Sequence, residues 1–195
     1  MSGFINPQAM WDKRFSTPDY VFGEEPNAFL VSQAARLGKG HALALADGEG
    51  RNSVWLAQQG FTVDAFDLSP SNIEAAQVFE NKDLLFFVHD LREPLPLENH
   101  YDAIFNFFTS FGYFDDQNDN QKAFNTFSSG LKEDGLLVLD FFNPTYILAN
   151  LVPVETVERD GITFQIKRWS EAGYLYKSID FTDNGQNYSF VEKVE

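Results

Sequence analysis

Hydrophobic positions fall into two textures along this chain. Up to about residue 142, short runs that are apolar nearly throughout alternate with segments of helical spacing. The runs are residues 41–46 (HALALA), 61–66 (FTVDAF), 84–88 (LLFFV), 102–108 (DAIFNFF) and 136–142 (LLVLDFF). Between them, residues 51–59 (RNSVWLAQQ) read as a helix, and Gly60 stands where a left-handed C-terminal glycine belongs. Ser69 and Pro70 supply an N-cap and a first-position proline for a helix running to about residue 80. Residues 117–131 space Ala123, Phe124, Phe127 and Leu131 along one face. Residues 132–135 (KEDG) then turn the chain into the fifth run. Apolar strands alternating with helices predict a parallel sheet covered on both faces, a doubly wound Rossmann-like α/β domain.

Beyond Pro144 the pattern changes. Residues 163–169, 174–181 and 188–194 alternate polar with apolar or β-branched side chains, separated by EAG at 171–173 and DNG at 183–185. Asp160-Gly161 marks a further turn, pairing residues 154–158 with the next strand. This predicts a C-terminal antiparallel meander with one wet face. The expected division is residues 1–150 for the sheet domain and 151–195 for the meander. There is no internal repeat.

Composition narrows the partners. At 195 residues the chain can build one α/β domain with a small appendage. A net charge of −15 without any Lys/Arg cluster disfavours nucleic acid and anionic membrane. No cysteine is present, so there is no disulfide framework, thiolate nucleophile or cysteine-bound metal. His41, His89 and His100 are dispersed in sequence, and no metal site is expected. No apolar run approaches a membrane span, and the start MSGFINP lacks a secretory pattern, so a cytoplasmic protein is expected. Of the 21 phenylalanines, many cluster between residues 105 and 114. Most suit an aromatic core; the FFTSF run at 107–111 also suits an apolar acceptor pocket.

The candidate chemistry lies after the first strand. Ala46, Asp47, Gly48, Glu49 and Gly50 form a Gly-rich turn leading into a helix. Glycine permits close backbone approach and positive φ, and the helix start presents free N–H groups. Asp67, at the end of the second strand, can accept hydrogen bonds from both hydroxyls of a ribose. The plainer alternatives are that Gly50 serves a tight connection and that Asp67 caps the turn before Ser69. A nicotinamide turn wants a third small residue where Ser53 stands, and Asp47 and Glu49 would repel a pyrophosphate. S-adenosylmethionine has no phosphate and carries cationic groups, so the acids favour it.

These residues resemble a known family. LALADGEGRNSVWLAQQGFTVDAFDLSPSNIEAAQ is similar to motifs I and II of class I S-adenosylmethionine-dependent methyltransferases, in the small-molecule, tellurite-resistance-like (methyltransferase type 11 or 25) branch. WDKRFSTPDYVFGEEPNAFL resembles that branch's lead-in helix and lid, FVHDL its third motif, and YDAIFNFFTSFGYF and LKEDGLLVLDFFNP its fourth- and fifth-strand motifs. The resemblance runs from Trp11 to Pro144. It implies that Ala46 to Gly50 contact the methionine part of the cofactor and that Asp67 holds the ribose. Leu68 would then pack on adenine, Asp90 accept from its amino group, and Leu91 donate its backbone N–H. Asn106 and Phe107 would lie under the methionine part and the reactive methyl, with Trp11 and Tyr20 in a lid.

Two departures stand out. The family's motif I begins with an acid where Ala44 and Ala46 stand here, and Asp47 compensates only in part. The family also closes its sheet with a further antiparallel pair, whereas the meander here leads directly to Glu195. Either the meander replaces that pair or the chain is truncated. Truncation is the favoured expectation, and it would expose a fifth-strand edge suited to homodimer formation. The implied activity is methyl transfer to an unidentified small molecule. The alternatives are a non-catalytic S-adenosylmethionine-binding domain or, further off, a nicotinamide-dependent oxidoreductase. Tyr113, His89 and Tyr146 are candidate general bases, none preferred, so the catalytic residue stays unassigned.

Overall fold

The computed structural model describes residues 25–33, 36–107, 110–112, 114, 116–159 and 161–194. Trp11, Tyr20 and Tyr113 lie outside the described residues. The chain divides into two compact units, one running to Phe111 and resuming from Asp116 to Phe141, the other taking Phe142 onward.

In the first unit, helix α1 (Ala28–Gln33) precedes β1 (His41–Leu45), α2 (Arg51–Gln58), β2 (Thr62–Asp67), α3 (Pro70–Ala76) and β3 (Leu84–Val88). β4 (Tyr101–Asn106), α4 (Gln117–Gly130) and β5 (Leu131–Leu139) complete it. The five strands are parallel in the order β3-β2-β1-β4-β5, the doubly wound sheet that the alternation of runs predicts. The central strands are sealed on both faces: Ala42, Leu43, Val63, Ala65, Ile104 and Phe105 are all buried. β3 is an outer strand, and Leu85 and Val88 stay exposed on it despite its wholly apolar sequence.

Local chemistry sets most ends. Ser69 caps α3, its side chain accepting from Asn72 N, with Pro70 at the first position as expected. α3 then tightens into a 3-10 turn over Gln77–Phe79 instead of continuing as α-helix to residue 80. β2 and β4 both lie one residue or more off their expected bounds, which makes Asp67 and Asn106 the last residues of their strands. On α4, Ala123 and Phe127 are buried as expected, but Phe124 is exposed; Thr126 and Gly130 complete the buried face instead. Gly130, the last residue of this helix, is a packing glycine, since a Cβ there would stand 2.6 Å from Leu95 Cδ1. The KEDG turn is a bulge inside β5: Leu131 pairs with Tyr101, and pairing resumes at Leu136 opposite Ala103. Asp134 takes φ 65° there. β5 ends at Leu139, short of the expected residue 142.

The second unit opens with α5 (Pro144–Ala149), which the alternating pattern does not predict; Asn143 caps it by accepting from Tyr146 N. Strands β6 (Val154–Arg159), β7 (Ile162–Glu171), β8 (Tyr174–Asp183) and β9 (Gln186–Val194) form the expected antiparallel meander. Val157, Phe164, Phe181 and Tyr188 lie in one cross-strand row, and Ile166, Ile179 and Phe190 in the next. The expected contrast between a dry face and a wet one is weak. Among the described residues from Phe142 onward only Ser178 and Val194 are buried. No helix among the described residues is long and apolar enough to cross a membrane.

Candidate active site

The carboxyl ends of β1, β2, β3 and β4 carry the residues singled out from the sequence. β1 stops at Leu45, and the chain reverses through Ala46 (φ 51°), Asp47, Gly48 (φ 60°), Glu49 and Gly50 (φ 88°) before α2 begins. Asp47 N donates to Phe66 O at 3.3 Å and Gly50 N to Asp47 O at 3.1 Å. Gly48 N donates to Asp67 Oδ2 at 3.0 Å, so the turn and the terminal acid of β2 are joined directly.

Each acid here also has a task within the protein. Asp67 Oδ1 accepts from Ser69 N at 2.9 Å and from Asn72 Nδ2 at 3.2 Å. The capping alternative for Asp67 is thus realised, on the same carboxylate that closes the turn. Asp47 caps α2 from three residues upstream. Its Oδ2 accepts from Ser53 N at 2.9 Å and its Oδ1 from Asn52 Nδ2 at 2.8 Å. Burial pushes the Asp47 carboxyl above its ordinary range, against the lowering effect of Ser53 and Asn52, and Asp67 nearby adds to the rise. Gly50 is a packing glycine: a Cβ there would stand 2.7 Å from Phe86 Cε1. The tight-connection alternative holds for it.

Polar groups that the sequence does not flag continue the floor. Asn52 Oδ1 accepts from Asn27 N at 2.9 Å, and Asn27 Nδ2 donates to Asp140 Oδ2 at 3.1 Å. Asn27 Oδ1 meanwhile caps α1 through Phe29 N and Leu30 N. A chain of hydrogen bonds through Asp47, Asn52, Asn27 and Asp140, with Asn27 joining by its backbone N–H as well as its side chain, therefore links the first turn to the end of β5. Asp140 N donates to Asn106 O at 2.9 Å. No spacing rule exposes Asn27 or Asp140, since 113 residues separate them.

Asn106 is fully buried; its Nδ2 donates to Leu45 O at 3.3 Å. Its Oδ1 has no partner among the described residues. Phe107 follows, buried and stacked on Phe105 with ring centroids 5.7 Å apart.

On the other side, His89 N donates to Asp67 O at 3.1 Å, bringing the segment after β3 beside β2. Leu68 and Leu91 are half-buried. Asp90 is clasped by Arg92, with Nη2 2.6 Å from Oδ2 and Nε 2.9 Å from Oδ1. Arg92 also reaches Asp119 Oδ2 at 3.2 Å. The Arg92 hydrogen bonds hold the Asp90 carboxyl below its usual range. Of the suggested bases, the His89 ring packs edge-on to Phe66, and its Nε2 lies 3.1 Å from Glu93 O. Tyr146 belongs to the second unit and is 65% exposed.

Residues 42–135 match the methyltransferase-domain family. The chain is 32% identical over 157 residues to a putative methyltransferase, YqeM, of Bacillus subtilis (strain 168), covering 77% of this chain and 63% of that protein. Residues 42–135 of this chain are thus a domain of the methyltransferase-domain family. It is also 30% identical over 146 residues to the glycine/sarcosine/dimethylglycine N-methyltransferase of Actinopolyspora halophila, covering 71% of this chain and 24% of that one. It thus spans less than two thirds of the length of either curated relative. In fold it is similar to an S-adenosylmethionine-dependent methyltransferase from Clostridium acetobutylicum, with a TM-score of 0.67 at 22% identity over 95% of this chain and 78% of that one.

Proposed function

We propose that this chain is a class I methyltransferase that binds S-adenosylmethionine across the carboxyl ends of β1, β2 and β4 and transfers its methyl group to a small molecule. The observation that carries this reading is the buried Oδ1 of Asn106, without a partner among the described residues, beside a turn whose Asp47 is already ordered by the fold. A buried acceptor without a donor is unfavourable by about 1–3 kcal/mol, so a donor from a ligand is what such a site lacks. An ammonium group supplies one. The acids Asp47, Asp67 and Asp140 add negative charge that suits a cationic ligand and disfavours a pyrophosphate.

In this reading, Ala46 to Gly50 offer backbone to the methionine part. Asp67 takes the ribose hydroxyls while keeping its bonds to Gly48 and Ser69. Leu68 covers the adenine, Asp90 accepts from its amino group, and Leu91 donates to the ring. Arg92 holds Asp90 in place for that contact. Phe107 lies under the reactive end, and Trp11 and Tyr20 belong to the lid. S-adenosylmethionine supplies an already activated methyl group, so the protein's part is alignment of the acceptor and exclusion of water. An acceptor arriving as a neutral amine needs no base from the protein. The small amines named for the Actinopolyspora relative are the first acceptors to try. Self-association through the outer edge of β5 belongs to the same reading and is checked by light scattering.

The decisive experiment is titration calorimetry with S-adenosylmethionine, S-adenosylhomocysteine and NAD. The first two are expected to bind and NAD to give no heat; preference for NAD overturns the reading. Asp67→Asn should weaken S-adenosylhomocysteine by about 1–3 kcal/mol, with the fold checked by circular dichroism. Unchanged affinity removes Asp67 from the site. Formation of S-adenosylhomocysteine in the presence of small amines separates an enzyme from a domain that only binds.

A further inference from the structure

The opposite end of the parallel sheet holds a second cluster with no part in the proposed methyl transfer. His41 is the first residue of β1, Asp64 lies in β2, and His100 immediately precedes β4. The fold brings all three together although 59 residues separate the two histidines (100 − 41), and their ligand-capable atoms lie within 4.8 Å of one another. The two imidazole rings meet edge-on with centroids 4.3 Å apart.

Three details distinguish this cluster from an ordinary surface pair. Asp64 is a buried carboxylate inside a strand, where an acid is costly unless paired. Its Oδ2 accepts from Tyr101 Oη at 2.9 Å, so the carboxylate is held in place by a neutral donor. His41 Nε2 is itself buried and lies 3.2 Å from the same Oδ2, yet makes no hydrogen bond among the described residues. The approach is off the line that a ring N–H needs. Tyr101 thus satisfies Asp64, while among the described residues His41 Nε2 has no hydrogen-bond partner although ligand-capable atoms of Asp64 and His100 lie within 4.8 Å of it.

We propose that His41, Asp64 and His100 form a binding site for a divalent transition-metal cation of the zinc type. Two imidazoles and one carboxylate are a ligand set suited to such an ion, which keeps a fourth position for water. Metal–ligand bonds of about 2.0–2.2 Å place tetrahedral ligands roughly 3.4 Å apart, a spacing that His41 Nε2 and Asp64 Oδ2 already have at 3.2 Å. Tyr101 is the outer partner that orients the carboxylate. His41 is anchored through its backbone, whose N–H donates to Asp102 Oδ2 at 2.8 Å, and Lys132 steadies Asp102 in turn at 2.9 Å. The His41 side chain keeps 23% of its surface exposed, which provides an entry path. The ion would pin the amino-terminal ends of β1 and β4 to β2, away from the turn at Gly48, and so act on stability without taking part in methyl transfer.

The test uses the full chain stripped of metal by a chelator. Co²⁺ is added while visible absorption is recorded, Zn²⁺ binding is measured by calorimetry, and unfolding is followed with and without Zn²⁺. The expected result is one cation per chain, the intense visible bands of four-coordinate Co²⁺, and a melting temperature raised by Zn²⁺. His100→Gln and His41→Gln should each weaken Zn²⁺ by at least roughly tenfold while retaining the wild-type circular dichroism spectrum. The proposal is overturned by an absence of Zn²⁺ heat in the wild type. It is equally overturned by weak, pale Co²⁺ spectra and affinity unchanged in both variants, which would mean adventitious binding to the acidic surface. S-adenosylhomocysteine affinity should be the same with and without Zn²⁺.

Discussion

The two units of this chain use β-structure in opposite ways. The parallel strands of the first unit are short, five to nine residues, and the central three, β2, β1 and β4, are removed from water on both faces. The antiparallel strands of the second reach ten residues and leave most side chains half-exposed. They are held by local ladders, by turns at Ala172-Gly173 and Asn184-Gly185 that adopt positive φ, and by cross-strand ring pairs. A covered sheet can carry a polar site at its strand ends because the core beneath is rigid. The meander spreads its stability thinly over its surface, and none of the expected cofactor contacts falls on it.

Substitutions should bring out this difference. Phe105→Ala, in the centre of the parallel sheet, should cost about 3–5 kcal/mol in urea unfolding. Phe181→Ala, central in the meander but half-exposed, should cost roughly 1–2 kcal/mol. Equal losses would mean that the meander has a core as dense as that of the sheet.

Gly50 and Gly173 sharpen the contrast, because both sit at φ 88°. A Cβ on Gly50 collides with Phe86, whereas one on Gly173 meets nothing within 4 Å. Gly173→Ala should therefore show only the backbone cost, about 1–2 kcal/mol, and Gly50→Ala should show roughly twice that or more. Thermal unfolding of both variants checks the difference.

Arg92→Ala removes the clasp on Asp90 and should lower stability by about 1–2 kcal/mol at neutral pH, allowing for its partial exposure. The Asp90 carboxyl is lowered from 3.8 in the folded state, so this contribution is present above that pH and lost as pH falls through the depressed value. Variant and wild type should converge in strong acid; a constant gap would mean the arginine acts through packing. The smallest effect is expected for Trp169→Ala, about 0.5–1.5 kcal/mol, from the loss of its stacking on Tyr176 at 5.1 Å.

Much of this was legible along the chain. Apolar runs alternating with helical segments specify a parallel sheet because strands buried on both faces read as such runs, although the outer strand β3 keeps Leu85 and Val88 exposed. Ser69-Pro70 specifies a helix start because the cap is local chemistry. The glycine turn and Asp67 could be paired because strand, turn, helix and next strand follow one another as a single βαβ unit. Tertiary structure decided which atoms are already engaged. It put the Asp47 carboxylate on the start of α2, set Phe86 against Gly50, and left Asn106 Oδ1 without a donor among the described residues. It also joined Asn27 to Asp140, and gathered His41, Asp64 and His100 at the foot of the sheet. Periodicity records which face a residue takes on its own element, but contacts between elements depend on register and on strand order. In a sheet ordered β3-β2-β1-β4-β5, β1 and β4 are neighbours in space but not in sequence, and only the folded chain shows which polar groups meet.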